Sequence, residues 1–474
     1  MVQALINTIR SLPHARMWFA CLGINLLIGV FYSVALIAPA SSVKSAWLPG
    51  KTTHGHYQIE LDCNACHDPS KSEDSMNASD VMQDACIRCH GDQLKDVDTH
   101  PAKKFNDPTN AELLATLDAQ NCLSCHAEHV PHQTLSMGLT MPADYCWHCH
   151  KEISDSRPSH QGMAFDSCAT AGCHNYHDNS ALYEKFLDDH FGQPDHLSLA
   201  TVPQRDTTSG LSGSEISNTL WPMPASKIND ANHPKSMQVD TTLLRDWAET
   251  SHAAAGVQCS HCHLPDSNGQ ESVTWSDHVP METCGQCHER QVDTFIEGKH
   301  GMRLAVGLSP MTPDQARLPM NHDAAHRELN CNACHNDHRF DTQFAATDAC
   351  LQCHADDHSL AHVNSPHGEL WRDEVLQKRV SGTGVSCATC HMPRLTDDGG
   401  VWVNHDQSAN LRPNEKMARE VCLNCHGLEY ALSALADEDL VRNGFDAEPS
   451  KRIESVQMAR KWFLDRATKR RKKP

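Results

Sequence analysis

One apolar run stands out from the polarity pattern of this 474-residue chain. Met17 to Ala38 is mostly apolar over 22 residues, about 33 Å as a helix and enough to span a bilayer. Residues 1–16 before it, expected on the cytoplasmic side, carry Arg10, His14 and Arg16 and no acid, but with Lys44 and Lys51 after the run flanking charge does not decide the orientation. A signal peptide cut at Ala38-Pro39-Ala40 is the alternative to a retained anchor at 17–38. After the run, polar and apolar positions mix, and no strand-like alternation persists. Short helices such as Thr241–Ala253 and Asp293–Ala305 are expected, joined by long loops. The tail from Lys451 should open as a helix and end in the basic run Lys469-Arg470-Arg471-Lys472-Lys473. The pattern predicts a mainly α chain of low regular secondary structure behind one transmembrane helix.

Composition changes that picture. Aromatic residues make up only 5% and mean hydropathy is −0.52, so polypeptide alone would make a thin core. Cysteines number 23 and histidines 34, far above ordinary usage. Cys331-Asn332-Ala333-Cys334-His335 has the form C-x-x-C-H, the attachment signature of c-type haem. Its two thiols can each form a thioether to one porphyrin edge, and the histidine then lies under the iron. His338 follows one helical turn later, free to ligate a neighbour.

Eleven such units account for every cysteine but Cys21, which lies inside the apolar run. Five fall in a module at 50–190: Cys63/Cys66/His67, Cys86/Cys89/His90, Cys122/Cys125/His126, Cys146/Cys149/His150 and the irregular Cys168/Cys173/His174, with four residues between its thiols. Six fall in a module at 246–445: Cys259/Cys262/His263, Cys284/Cys287/His288, Cys331/Cys334/His335, Cys350/Cys353/His354, Cys387/Cys390/His391 and Cys422/Cys425/His426. Residues 191–245 between them carry no motif and have linker composition, and 446–474 form a basic tail. This accounting excludes a disulfide framework, and the spacing does not suit zinc. Eleven covalent haem c groups are expected, with short helices and loops wrapped around stacked porphyrins.

Each iron needs a second ligand. The favoured histidines are His56, His100, His129, His160 and His177 in the first module, and His252, His278, His300, His338, His367 and His405 in the second. Behind them stand His54, His132 and His190, and His322, His326, His358 and His362. No motif continues as C-x-x-C-H-x-M. Imidazole on both faces gives a low-potential iron with no open position, suited to passing electrons.

The motifs resemble those of multihaem c-type cytochromes over residues 50–430. Gly298-Lys299-His300-Gly301, Ser365-Pro366-His367-Gly368 and Cys387-Ala388-Thr389-Cys390-His391-Met392-Pro393 are similar to stretches of the hydroxylamine oxidoreductase and ammonia-forming nitrite reductase superfamily. That resemblance implies that His300 and His367 are distal ligands. The first module, behind an N-terminal anchor, resembles membrane-tethered pentahaem cytochromes in plan. No C-x-x-C-K occurs, and Tyr430 is the second module's single tyrosine, so the catalytic features of that superfamily are not matched.

The expected function is electron relay in the periplasm, on the inner membrane, between a quinol-linked or membrane partner and other cytochromes or a terminal reductase; a subunit role in a larger respiratory assembly is a further reading. The alternative is a reductase or oxidase of small nitrogen or sulfur compounds at one five-coordinate haem. Asp277-His278, Asp337-His338 and Asp357-His358 could line such a pocket, or be ligands with polar neighbours. Net charge is −20, which disfavours nucleic acid and favours basic redox partners. The tail from 451 reverses the sign, with ten Lys/Arg against two acids.

Overall fold

The computed structural model describes residues 22–29, 48–67, 78–95, 118–131, 138–141, 145–156, 189–204, 224–264, 274–397, 400–411, 416–450 and 454–471, with a few positions between (108, 111–112, 160–161, 176–177, 186 and 452). The expected anchor at 17–38 lies mostly outside them. Its described part, 22–29, is helical, with Leu22, Leu26 and Leu27 exposed. Among the described residues no helix is long and apolar enough to cross a membrane. His100, Cys168, Cys173 and His174 also lie outside.

Helices are short and strand is scarce. Each described haem motif occupies about one turn, which puts its two thiols on one side and its histidine at the end. Cys122–Cys125, Cys259–His263, Cys331–His335 and Cys387–His391 are single α-helical turns; Cys63–Ala65 and Cys422–Asn424 are 3₁₀ turns. Polar side chains start several of them. Asn121 accepts from the Leu123 amide, Asn330 from that of Ala333, and Ser386 with Thr389 forms a reciprocal capping box. Such caps satisfy amides that so short a helix cannot.

The expected helix Thr241–Ala253 is two, Thr241–Ala248 and Ser251–Ala254, because the Thr250 hydroxyl accepts from the Ala253 amide and restarts the chain. The expected helix Asp293–Ala305 likewise divides into Glu289–Glu297 and Met302–Ala305 around Gly298 and Gly301. One hairpin was not foreseen: Arg394–Asp397 pairs antiparallel with Gly400–Val403, Leu395 opposite Trp402. The tail helix runs Glu454–Arg471.

A small core sits at the C-terminal end. Met417, Ala418, Val421, Leu428, Ala431, Leu432, Leu435 and Val456 pack together, with Phe186, Phe191, Leu423 and Phe445 against them. Residues 191–204, inside the stretch of linker composition, lie on this end. The Leu197 amide donates to the Cys425 carbonyl, and the Val202 amide to that of Gly382. The two halves also touch. Arg303 donates to the Gln58 carbonyl at 2.8 Å, and the Arg317 guanidinium lies 4.2 Å from the Tyr57 ring centre.

Candidate haem sites

The histidines that end the motifs mostly face other histidines. In the second half, His263 faces His338 at 5.8 Å between ring centres, His288 faces His252 at 5.8 Å, and His335 faces His405 at 6.3 Å. His354 faces His300, His391 faces His358 and His426 faces His367, each at 6.1 Å. In the first half His90 faces His56 at 6.0 Å and His126 faces His177 at 6.1 Å. Two imidazoles bound to one metal through bonds of about 2 Å have ring centres about 6 Å apart. The eight pairs therefore fit an iron between them.

The motif histidines carry no signal of which partner they take, because partners come from far along the chain. His278 was favoured from the sequence, yet the ring facing His391 is that of His358. The Ser276 hydroxyl donates to the backbone carbonyl of His278. His129 and His160 are described but belong to none of these eight pairs.

The fourth motif lies on an open face of the chain. His150 is exposed, and it too belongs to none of the eight pairs. The cause is local. The 3₁₀ turn Tyr145–His148 leaves Trp147, His148 and Cys149 exposed as well, and the His150 amide, donating to the Cys146 carbonyl at 3.1 Å, continues that turn on the same open face. Chain packing therefore leaves this ring exposed. His67 of the first motif and His90 of the second are exposed too, so burial by polypeptide marks the second half and not the first.

Second contacts orient the rings. A carbonyl only accepts, so an imidazole Nδ1 beside one must be its protonated nitrogen, leaving Nε2 for a metal. Nδ1 of His263 donates to the Ser276 carbonyl at 2.7 Å, His405 to Val403 at 2.9 Å and His426 to Asp195 at 3.1 Å. His126 donates to Gly138 at 3.2 Å, His129 to Gly50 at 2.8 Å, and His358 to Val441. His56 instead donates to the Glu128 carboxylate at 2.6 Å, and the Thr53 amide and hydroxyl donate to the same group. Glu128 had not been singled out, although it directly precedes His129. Other unforeseen neighbours are aromatic. Trp275 stacks on His263 at 4.7 Å, and Tyr430 and His196 both lie 4.9 Å from His426.

Burial keeps four rings of the second half unprotonated. His252, His300, His367 and His391 are lowered to about 4, with burial the main cause and the facing or neighbouring histidine next. Each thus offers a lone pair at neutral pH. Between about 6.5 and about 4 the unfolded chain binds protons that these folded rings refuse, so stability must fall as pH falls through that window. An iron competing for the same lone pair leaves the sign unchanged. Melts of the holoprotein at a series of pH values should show a midpoint that drops below pH 6.5; a midpoint constant down to pH 4 would contradict it.

The thiols, which stand for thioether sulfurs on porphyrin edges, bring successive motifs together. Cys86 hydrogen-bonds Cys122, Cys284 hydrogen-bonds Cys331, and Cys350 hydrogen-bonds Cys387. Electrostatic neighbours extend the series: Cys66 with Cys89, Cys125 with Cys146, Cys262 with Cys284, Cys334 with Cys353, and Cys390 with Cys425. Motifs one to four and six to eleven thus follow one another in space in their order along the chain.

No curated protein and no solved structure matches this sequence. Residues 55–151 and 251–355 each match the family model of cytochrome c3. That family carries covalently bound c-type haem, and the two matches, with the facing histidines between them, make this chain a multihaem c-type cytochrome of the electron-transfer kind.

Proposed function

We propose that the chain is an eleven-haem relay. It is held at the outer face of the cytoplasmic membrane by residues 17–38, and links a quinol-linked or membrane partner to other cytochromes or a terminal reductase. The observation that carries it is the pairing of all six motif histidines of the second half with a facing histidine. Haem, when bound, supplies one-electron exchange at iron. The residues' part is to occupy both axial positions, orient the imidazoles through Nδ1, and hold successive motifs at thioether contact. A site built this way leaves no coordination position for nitrite or hydroxylamine at those six irons. Export is supported by the attachment chemistry, which takes place outside the cytoplasm. The acidic body favours a basic redox partner, with docking rates that fall as salt rises.

Low-temperature EPR of the oxidised holoprotein tests the relay. Only low-spin signals are expected, in two families set by the angle between axial ring planes. His263/His338 at 6° and His126/His177 at 22° should give rhombic spectra. His288/His252 at 87° and His391/His358 at 81° should give strongly axial ones. A high-spin iron in the untreated protein, together with turnover of nitrite or hydroxylamine, would replace the relay by an enzyme. Mass of the holoprotein counts the haems, and a count of ten would leave Cys168/Cys173/His174 empty.

A further inference from the structure

The two halves repeat part of one arrangement. The family match falls once on the first four motifs and once on motifs six to nine. His56 precedes the first motif by seven residues and faces His90 of the second. His252 precedes the sixth by seven and faces His288 of the seventh. His177 follows the fifth motif and faces His126 of the third; His405 follows the tenth and faces His335 of the eighth. Two pairs therefore occur twice, in matching order.

A third correspondence is local. Cys122-Leu123-Ser124-Cys125-His126-Ala127-Glu128-His129 and Cys331-Asn332-Ala333-Cys334-His335-Asn336-Asp337-His338 both end C-H-x-acid-His. In both, the final histidine has left-handed backbone, φ 63° at His129 and 64° at His338, which a non-glycine residue adopts only when its surroundings hold it there. His338 uses that geometry to face His263 of the sixth motif, with the ring planes 6° apart.

We infer that His129 is the second axial ligand of the iron held by Cys63, Cys66 and His67, and that the chain is a duplicated five-haem unit with one added motif, Cys422/Cys425/His426. The contacts of the first unit fit this assignment. Its Nδ1 donates to the Gly50 carbonyl, which leaves Nε2 for metal. Glu128 beside it holds Thr53 and His56, so the turn is tied to the stretch that runs directly into Cys63. The sequence carries the order further: His100 lies between the second and third motifs as His300 lies between the seventh and eighth, and His160 follows the fourth as His358 follows the ninth. The added motif takes His367, a histidine with no counterpart in that order.

The inference rests on reading the motifs as haem sites, and the test separates the two. The full-length holoprotein carrying His129→Ala should keep its haem mass and gain one high-spin iron per chain by EPR. Once reduced, it should bind carbon monoxide at one haem. In a Cys63→Ala/Cys66→Ala background, one haem lighter, His129→Ala should add no high-spin iron. His129→Met, a milder change if the alanine variant fails to accumulate, should stay low-spin and acquire a thioether–iron band in the far red. Full haem load without a new high-spin iron in His129→Ala would overturn the pairing. So would an increment that survives in the Cys63/Cys66 background, since His129 would then serve another iron. A wild-type mass free of haem would fail the parent reading instead. High-spin iron already in the wild type would fail the relay while leaving the His129 increment readable.

Discussion

Polypeptide made without haem attachment is expected to show no cooperative unfolding transition and to be cut throughout by protease. Among the described residues the contiguous apolar core is one group of eight around Leu428 and Leu432, all C-terminal to residue 416. That group cannot offset the ordering of a chain whose other helices are mostly one or two turns long, because backbone fixation costs about 1–2 kcal/mol per residue. Isolated helices of that length are unstable in water, and caps on Asn121, Asn330 and Ser386 do not change this. Circular dichroism and thermal melts of cytoplasmically expressed chain, beside exported chain with haem, give the comparison. A cooperative melt from the haem-free material would show that the polypeptide core suffices.

How much of this was legible in the sequence follows from which interactions are local. A haem motif is local: two thiols and a histidine within one turn, so its chemistry reads directly from five residues. How far the chain encloses that turn is not local, and the exposed His150 has the same motif as the buried His391. An axial partner is not local either, and the separation between facing histidines ranges from 33 residues at His391/His358 to 75 at His263/His338. Counting histidines therefore suggests candidates without matching them to irons. His358 stands behind the favoured histidines in the sequence reading, only four residues past its own motif. Its ring is turned away from His354 by the donation of Nδ1 to Val441, a contact 83 residues away that no local pattern carries. The helix breaks at Thr250 and Gly301 were readable in principle, since each residue type has a stated cap or turn role. The hairpin at 394–403 was missed because four-residue strands leave too few alternations to register.

Gly301→Ala and Gly368→Ala should each release a distal histidine, and this is the largest effect expected of a single methyl group in the chain. The His-Gly pairs at 300–301 and 367–368 had been noted only through a resemblance; the structure supplies their physical reason. A Cβ on Gly301 would stand 2.2 Å from the Phe295 carbonyl oxygen, and one on Gly368 would stand 2.0 Å from that of His362. Both obstacles are backbone, so no side-chain rotation relieves them. At each site the segment after the glycine turns back against the preceding helix, and that close approach aims the histidine at its partner. His300 then faces His354, and His367 faces His426. The backbone must move to admit the methyl group, at a cost of about 1–3 kcal/mol or more, and the histidine moves with it. Gly285→Ala is the control, because its Cβ would meet only Val292 Cγ2 at an ordinary 3.6 Å. In the holoprotein each of the two variants should lower the melting temperature and gain one high-spin iron by EPR, while Gly285→Ala leaves both readings where they are. Should Gly301→Ala or Gly368→Ala melt lower yet stay wholly low-spin, the glycine would serve chain packing alone, and the ring would find its iron by another route.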